Sequence, residues 1–222
     1  MAFSQKRQRL YDLSPDVAVV PECAKKSIDV CIEDGFDGRW FGDNLNKGLG
    51  ILVAKPWSIV RVEEPPTRWV VPLWIAGPFD FLLVAVWTTR MNGSFVRSYV
   101  GQAYEAVTKS SQWFRGQPTA ICGDFNSNSI WDRKRKHGNH SALVKYLGEQ
   151  KLASAYHRFF SEDQGEETRP THYYWHQKER GFHIDYIFIP EDWAKRISKV
   201  EVGEYECWSS LSDHVPIVVD VL

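Results

Sequence analysis

Many of the apolar residues of this chain fall into short runs that are bounded by Gly, Pro, Asn or Asp. Runs of this length, with alternating or continuous apolar side chains, predict β-strands. The predicted strands span residues 17–20, 48–54, 58–63, 69–76, 81–87, 119–122, 152–156, 171–175, 183–189, 199–204 and 215–221. Turn residues between neighbouring runs predict two hairpins, one joining 48–54 to 58–63 and one joining 69–76 to 81–87.

Helical spacing of apolar residues is confined to three segments. The pattern predicts a short helix over residues 4–13, a longer helix over 96–114 and a third helix over 141–150. No internal repeat or linker interrupts the chain. Hairpins interrupted by a few helices predict an α+β fold of two packed sheets with helices outside, in one domain over residues 1–222.

The amino-acid composition excludes several classes of protein. A hydrophobic fraction of 43% with ten tryptophans favours a packed globule, and a net charge of −1 excludes binding of polyanions by overall charge. No apolar run reaches the roughly 20 residues of a membrane helix. The four cysteines form no CxxC pair and the first ten residues are polar, so we expect a cytoplasmic protein. The sequence indicates no protein partner.

Acidic and amide side chains follow several of the predicted strands. Glu22 ends the first strand, Asp124 and Asn126 follow 119–122, and Asp213 with His214 precedes the last strand. Carboxylate oxygens are the ligands that Mg²⁺ or Mn²⁺ prefers. A carboxylate beside a His can fix the tautomer of the ring and stabilise its charged form.

Each of these residues also has an ordinary structural interpretation. A Glu at a strand end is usually solvated, and Asp-Phe-Asn is common turn chemistry. Asp185 is harder to explain in this way, because an unpaired carboxylate within the apolar run 183–189 is costly. Asp185 therefore needs a partner, and His214 is the natural candidate.

Four motifs in this order resemble the endonuclease/exonuclease/phosphatase superfamily, which includes AP endonucleases and deoxyribonucleases. They are the Pro15-to-Glu22 segment, Gly123-Asp124-Phe125-Asn126, Ile184-Asp185-Tyr186-Ile187-Phe188 and Ser212-Asp213-His214. The stretch Lys47-Gly48-Leu49-Gly50-Ile51 resembles the glycine-containing strand of that family. The resemblance covers nearly the whole chain and implies a four-layer αββα sandwich of two mainly antiparallel sheets.

The resemblance also implies roles for individual residues. Glu22 and Asp213 are expected to contact Mg²⁺ or Mn²⁺, and Asp124 to orient the attacking water. Asn126 is expected to hold a phosphate oxygen, His214 to stabilise the scissile phosphate and Asp185 to orient His214. The implied reaction is in-line attack of water on phosphorus.

Two positions depart from the family pattern. In many members a His or Tyr follows the strand that here ends in Val86, whereas this chain has Trp87, and an indole cannot shuttle a proton. The family also opens with a strand that ends in a metal-site Asn, whereas residues 4–13 predict a helix at once. We therefore expect a domain truncated at its N-terminus, with Met1 an internal methionine and the missing strand encoded upstream.

The favoured function is a divalent-metal-dependent nuclease acting on DNA or RNA. Candidate substrate-binding residues are Arg90 and the basic cluster Arg133, Lys134, Arg135 and Lys136. The aromatic residues of 171–175 are candidates for base stacking, although aromatic residues on a strand are more often core. A phosphomonoesterase acting on a phosphoinositide or another small phosphate ester remains an alternative, as does a weakly active or inactive phosphate-binding module.

Overall fold

The computed structural model describes residues 7–90, 99–132 and 138–222, and all structural statements below concern these residues. The strands are β1 (Val17–Cys23), β2 (Asp37–Asn44), β3 (Lys47–Val53), β4 (Ser58–Val62), β5 (Val70–Ala76), β6 (Phe81–Trp87), β7 (Thr119–Asp124), β8 (Leu152–Ser154), β9 (His172–Tyr173), β10 (Gly181–Phe182), β11 (Asp185–Pro190), β12 (Ile197–Val202) and β13 (Ile217–Val221). The helices are α1 (Arg7–Asp12), α2 (Lys25–Glu33), α3 (Val100–Lys109), α4 (His140–Glu149), α5 (Ala155–Phe160), α6 (Glu191–Ala194) and α7 (Tyr205–Trp208). Short 3₁₀ turns occupy Ser111–Phe114, Ser129–Trp131, Tyr174–His176 and Lys178–Arg180.

The larger sheet has six strands in the order β4-β5-β6-β7-β11-β8. All its neighbours are antiparallel except β6 and β7, which run parallel. Strand β6 lies in the interior of this sheet, and all seven of its residues are buried. A continuous apolar run is what a strand covered on both faces requires.

A second layer contains two separate groups of strands. Strand β3 lies between β1 and β2 in a three-stranded antiparallel sheet, and β12 pairs with β13 in a two-stranded sheet. Side chains from both groups, among them Val19, Leu49 and Val219, pack on the same face of the six-stranded sheet. The two groups therefore form one layer that faces the larger sheet.

Helices cover the outer faces of both layers. Helices α3 and α4 bury Val100, Ala103, Leu143 and Leu147 against the six-stranded sheet. Helix α2 buries Ile28 and Cys31 against the three-stranded sheet. The order helix, sheet, sheet, helix confirms the predicted four-layer αββα sandwich.

Some of the predicted elements are wrong in detail. Residues 48–54 and 58–63 do not form a hairpin, because β3 already pairs with β1 and β2 while β4 pairs with β5 in the other sheet. The sequence pattern predicts neither α2 nor β2, and residues 155 and 156 begin α5 instead of ending a strand. The basic cluster 133–136 lies outside the described residues.

Among the residues that the structure describes, no helix has the length and apolar character to cross a membrane.

Candidate active site

Asp124 is the last residue of β7 and lies between two neighbouring strands at the end of the six-stranded sheet. Its Cα partners are Trp87 on β6 and Asp185 on β11, and its side chain is buried. Gly123 has a φ of +139°, and a Cβ at this position would lie 1.9 Å from the carbonyl oxygen of Val86. Glycine is therefore required for β7 to approach β6 so closely.

Asn126 fixes the orientation of the Asp124 carboxylate. The backbone N–H of Asn126 donates to Oδ1 of Asp124 at 2.8 Å, and Nδ2 donates to Oδ2 at 2.5 Å. Nδ2 also donates to the carbonyl oxygen of Thr88 at 3.0 Å. Asn126 reaches this position with a left-handed backbone (φ +45°), which Asn tolerates better than most residues.

Asp185 and His214 form a hydrogen-bonded pair. Asp185 is the first residue of β11, and Nδ1 of His214 lies 2.9 Å from Oδ2 of Asp185. The segment around His214 is held against β9, because Val215 donates its N–H to Thr171 and Tyr173 donates its N–H to Asp213. The partner that the sequence required for Asp185 is thus at hydrogen-bonding distance.

His172 belongs to the same cluster and was not singled out from the sequence. Its ring centroid lies 4.6 Å from that of His214, and its Nε2 lies 3.7 Å from Oδ2 of Asp213. The only signal in the sequence was its position within a run of aromatic residues, which we interpreted as core or base-stacking residues.

Glu22 lies at the end of β1 and makes an ion pair with Lys47, whose Nζ is 2.9 Å from Oε1. In the sequence, Lys47 stands out only as part of a family motif.

Glu22 borders a cleft of about 810 Å³ that separates β1 from β13. The charged and polar side chains that line this cleft include Asp124, Asp185, Asp213 and His214. Within the described ranges, no three His, Cys, Asp or Glu side chains stand close enough together to form a metal site by themselves.

A second cleft, of about 450 Å³, lies on the other side of Glu22. Asn126 lines this cleft, and the cations Lys47, Arg68 and Arg90 border it. Arg68 is ion-paired with Asp43 at the same cleft. The structure thus places Arg90, a candidate from the sequence, beside the group of residues around Asp124.

Trp87 serves the packing of this region. Its indole is 4% exposed and stacks on Trp69 with ring centroids 5.8 Å apart. Its Nε1 has no hydrogen-bond partner among the described residues. Burial of both indoles stabilises the floor of the second cleft, so Trp87 contributes packing and no proton-transfer group.

The clustered carboxylates and the imidazole shift each other's pKa. Burial, with the nearby charge of Asp185, raises the pKa of Asp124. Burial lowers the pKa of His214, but the charges of Asp185, Asp124 and Asp213 outweigh it and raise that pKa to about 10. The His172 imidazole, whose Nε2 is 3.7 Å from Oδ2 of Asp213, and the charge of His214 hold the pKa of Asp213 below its usual value. The neighbouring negative charges therefore favour a protonated His214, whereas burial favours the neutral form of Asp124.

Residues 171–175 divide between the core and the surface. Tyr173 is 8% exposed, whereas Tyr174 and Trp175 are 45% and 65% exposed. The two exposed rings are stacked with centroids 4.8 Å apart, and the Arg180 guanidinium lies 5.2 Å from the Trp175 ring. His172 connects this surface to the site, because its ring contacts both Tyr174 and His214.

Solved structures with a similar fold include a 3′ phosphatase, an AP endonuclease and the endonuclease domain of a retrotransposon. The 3′ phosphatase NExo from Neisseria, bound to a product DNA hairpin, superposes with a TM-score of 0.71 at 17% identity, over 100% of this chain and 96% of that chain. An AP endonuclease from Archaeoglobus fulgidus gives 0.68 at 19% identity, over 99% and 95% of the two chains. The endonuclease domain of TRAS1, a telomere-specific non-LTR retrotransposon, gives 0.71 at 16% identity, over 99% and 91%. At these identities the similarity shows the fold.

A comparison with curated proteins gave no match to this chain. The sequence profile of the Endonuclease/Exonuclease/phosphatase family matches residues 7–214, which include Glu22, the Asp124–Asn126 segment, Asp185 and His214. With the αββα fold and the family match in agreement, the chain belongs to the Endonuclease/Exonuclease/phosphatase family.

Proposed function

We propose that this protein is a divalent-metal-dependent phosphodiester hydrolase that acts on DNA or RNA. The observation that carries the proposal is the Asp185–His214 pair, with 2.9 Å between Oδ2 and Nδ1, beside the buried Asp124 carboxylate. A protonated imidazole held by a carboxylate is suited to neutralise charge that develops on a phosphate. Membership of the family supports the same class of chemistry.

In the proposed reaction, a water oxygen attacks phosphorus in line with the ester bond that breaks. Asp124 orients the water, and His214 donates a hydrogen bond to a non-bridging oxygen on which negative charge accumulates. The new P–O bond forms as the opposite P–O bond breaks; the attacking water releases one proton to solvent, and the leaving alkoxide takes up one proton from solvent. Asp185 keeps His214 protonated and in place without contacting substrate, so it is a positioning residue.

Asn126 is less free to bind a phosphate oxygen than the resemblance to the family implies. Both hydrogens of its Nδ2 are engaged, one with Asp124 and one with Thr88. Contact with a phosphate oxygen requires that one of these bonds be exchanged. We therefore propose that Asn126 first of all holds the Asp124 carboxylate, and that it contacts the phosphate only through such an exchange.

The donor set suits Mg²⁺ or Mn²⁺. Glu22 and Asp213 both line one cleft, and Mg²⁺ is usually held by one or two carboxylates, with water and substrate phosphate as the other ligands. Such a site does not need three protein ligands in contact. When bound, the metal would supply Lewis-acid stabilisation of the phosphate. Lys47 forms an ion pair with Glu22 and so neutralises its charge. A bound metal cation would take the place of Lys47 beside Glu22.

Two surfaces next to the site favour a nucleic acid over a small phosphate ester. Lys47, Arg68 and Arg90 border the second cleft, where they can contact neighbouring phosphates. The stacked Tyr174 and Trp175 are exposed and connect to His214 through His172, so they can accept a base. A small phosphate ester would reach neither the stacked rings nor the more distant cations.

A phosphomonoesterase remains the second candidate. The support for it is the neighbour described as a 3′ phosphatase, whose fold this chain shares. Such an activity uses the same attack of water and differs only in the group that leaves.

The test is an activity screen of the purified protein with Mg²⁺, Mn²⁺ or EDTA. The substrates are plasmid DNA, single-stranded DNA, RNA, DNA with a 3′ phosphate, bis-nitrophenyl phosphate and inositol phosphates. We expect metal-dependent cleavage of at least one nucleic acid and a loss of about 100-fold or more in kcat for His214→Ala. The control is His176→Ala, because His176 is exposed and does not line either cleft.

Three outcomes of this screen contradict parts of the proposal. Turnover of inositol phosphates or 3′ phosphates alone would favour the phosphomonoesterase. Activity that survives His214→Ala would remove His214 from the reaction. No turnover with either metal would favour a binding module.

A further inference from the structure

Lys47 lies at the boundary between the two clefts. Its Nζ is 2.9 Å from Oε1 of Glu22, and Glu22 lines both the cleft of about 810 Å³ and the second cleft of about 450 Å³. Lys47 itself lines the second cleft, together with Arg68 and Arg90. The ammonium of Lys47 is therefore paired with a candidate metal ligand, while its side chain belongs to a cleft bordered by other cations.

Two stacked indoles lie beneath the cations of the second cleft. Trp69 and Trp87 are buried, and their ring centroids are 5.8 Å apart. Nζ of Lys47 lies over the Trp87 ring at 5.7 Å, and the Arg68 guanidinium lies over the Trp69 ring at 5.0 Å. The face of an aromatic ring attracts a cation. Lys47 therefore keeps a favourable position in the second cleft when it is not paired with Glu22.

The ion pair between Lys47 and Glu22 is of a kind that a metal ion can displace. Both side chains are about half exposed, and exposed ion pairs contribute little stability. A divalent cation attracts a carboxylate more strongly than an ammonium does, and the two cations repel each other when both are close to the same carboxylate. Lys47 would therefore leave Glu22 when Mg²⁺ or Mn²⁺ binds there.

The other ion pair of the second cleft does not depend on a metal in this way. The described lining contains three cations and two carboxylates, Glu22 and Asp43. Asp43 pairs with Arg68, and neither of these residues lines the larger cleft that holds Asp213 and His214. A metal at Glu22 thus removes the partner of Lys47 and leaves the partner of Arg68 in place.

We propose that Lys47 couples metal binding to nucleic-acid binding. In the metal-free protein it pairs with Glu22, and once a metal is bound at Glu22 it binds a backbone phosphate in the second cleft. His214 lines only the larger cleft, so this phosphate is a neighbour of the scissile one. The inference rests on the proposed metal-dependent function and adds a phosphate subsite to it. By linkage, metal and nucleic acid strengthen each other's binding by the same factor.

The first measurement is the affinity for Mn²⁺ without nucleic acid, taken from the EPR signal of the free ion. We expect Lys47→Gln to tighten Mn²⁺ binding by about 2-fold to 5-fold, because the ion no longer competes with the ammonium for Glu22. The matched control is Arg68→Gln, which removes the same charge from the same cleft at a residue paired with Asp43. We expect the control to bind Mn²⁺ as the wild type does.

The second measurement is the binding of a fluorescent single-stranded DNA with phosphorothioate linkages, which keep the charge of each phosphate and resist hydrolysis. Anisotropy would be recorded at several salt concentrations, with Mn²⁺ or with EDTA. We expect Lys47→Gln to flatten the slope of log K against log salt concentration by about 0.7 with Mn²⁺ and to leave it unchanged with EDTA. Arg68→Gln should change both slopes by the same amount, because its pairing does not respond to the metal.

Three results would overturn the proposal. The first is an affinity for Mn²⁺ that Lys47→Gln leaves unchanged, or that rises equally in both variants. The second is a slope that Lys47→Gln flattens equally with Mn²⁺ and with EDTA, which would show that Lys47 binds phosphate whether or not a metal is present. The third is a wild-type protein that binds no Mn²⁺, which would also remove the metal from the proposed function. The first two results leave the proposed function standing, and no readout uses turnover, so the two failures are distinguishable.

Discussion

His214 and Asp185 lie 29 positions apart in the chain, yet Nδ1 of His214 is 2.9 Å from Oδ2 of Asp185. Strand β11 supplies the carboxylate at its first residue, and the segment before β13 supplies the imidazole. The Asp185 and His214 side chains are 14% and 28% exposed, respectively, so water screens their interaction only in part.

The first prediction tests this pair through Asp185→Asn. The amide keeps the size of the carboxylate but loses its charge, so the protonated form of His214 loses its main support. We expect kcat on the preferred nucleic acid to fall by about 100-fold to 10,000-fold while KM changes little, since Asp185 does not contact substrate. Steady-state kinetics at neutral pH would measure both constants.

The matched control for this variant is Asp192→Asn, which removes an exposed carboxylate on α6 outside both clefts. We expect the control to keep full activity. Two results for Asp185→Asn would contradict the positioning role. One is a large change in KM, and the other is a fall in thermal stability that accounts for the whole loss of activity.

The second prediction concerns the exposed ring of Trp175. If it stacks on a base, Trp175→Ala should raise KM for single-stranded DNA or RNA by about 5-fold to 100-fold, which corresponds to about 1–3 kcal/mol. The hydrolysis of bis-nitrophenyl phosphate should not change, because that substrate does not extend to the stacked rings. Phe159→Ala is the control, since Phe159 is an exposed aromatic residue on α5 outside both clefts. Equal effects on both substrates would exclude base stacking by Trp175.

The positions of many strands, and of the strand ends that carry Asp124 and Asp185, followed from the sequence, because apolar runs with polar ends are local signals. Strand β6 and the Gly123–Asn126 segment are examples. Strand β2 was not predicted because its residues include Gly, Asp and Asn, and pairing with β3 overrides that weak local preference. The false hairpin between β3 and β4 has a similar cause, because alternation predicts a strand and not the sheet that contains it.

Only some residues of the candidate site could be predicted from the sequence. His172 reaches His214 through the packing of β9 against the segment before β13, and no local pattern records that contact. The ion pair between Glu22 and Lys47 likewise depends on the pairing of β1 with β3. Contacts between distant segments become visible only when the fold is known.

The third prediction concerns the basic cluster Arg133, Lys134, Arg135 and Lys136. Its role in substrate binding is predicted from the sequence alone. Replacing all four residues with Gln should weaken binding to nucleic acids of different sequence by similar factors, because binding to phosphates carries no base information. The slope of log K against log salt concentration should flatten by about 0.7–0.9 for each phosphate that the variant no longer neutralises. Fluorescence anisotropy at several salt concentrations would measure the slope.

A variant with four exposed lysines replaced elsewhere gives the control for the removal of positive charge. Suitable positions are Lys26, Lys55, Lys109 and Lys195. If both variants flatten the slope equally, the effect comes from net charge and the cluster is ordinary solvated surface.

The fourth prediction concerns Glu167, which stabilises the fold behind the site. Its Oε1 lies 3.1 Å from Nε2 of His157, and its Oε2 accepts a hydrogen bond from Nδ2 of Asn128 at 3.0 Å. Burial raises the pKa of Glu167, but the hydrogen bonds from His157, Asn128 and backbone amides outweigh it and lower the pKa to about 2. The side chain is 3% exposed, so the ionised form is stabilised mainly by the protein.

Because the pKa of Glu167 is lower in the folded protein than its usual value of 4.5, its ionised form stabilises the fold above pH 4.5. The stabilisation disappears as the pH falls towards 2, where the folded protein also binds the proton. We expect Glu167→Gln to lower the free energy of unfolding at pH 7 by an amount on the order of 2 kcal/mol. The difference between the two proteins should shrink steadily from pH 4.5 to pH 2, and urea denaturation at each pH would measure it. Glu33→Gln, which changes an exposed residue of α2, should show no such difference at any pH. A constant difference between wild type and Glu167→Gln across this range would show that Glu167 acts through packing, since the energy of packing does not depend on the proton.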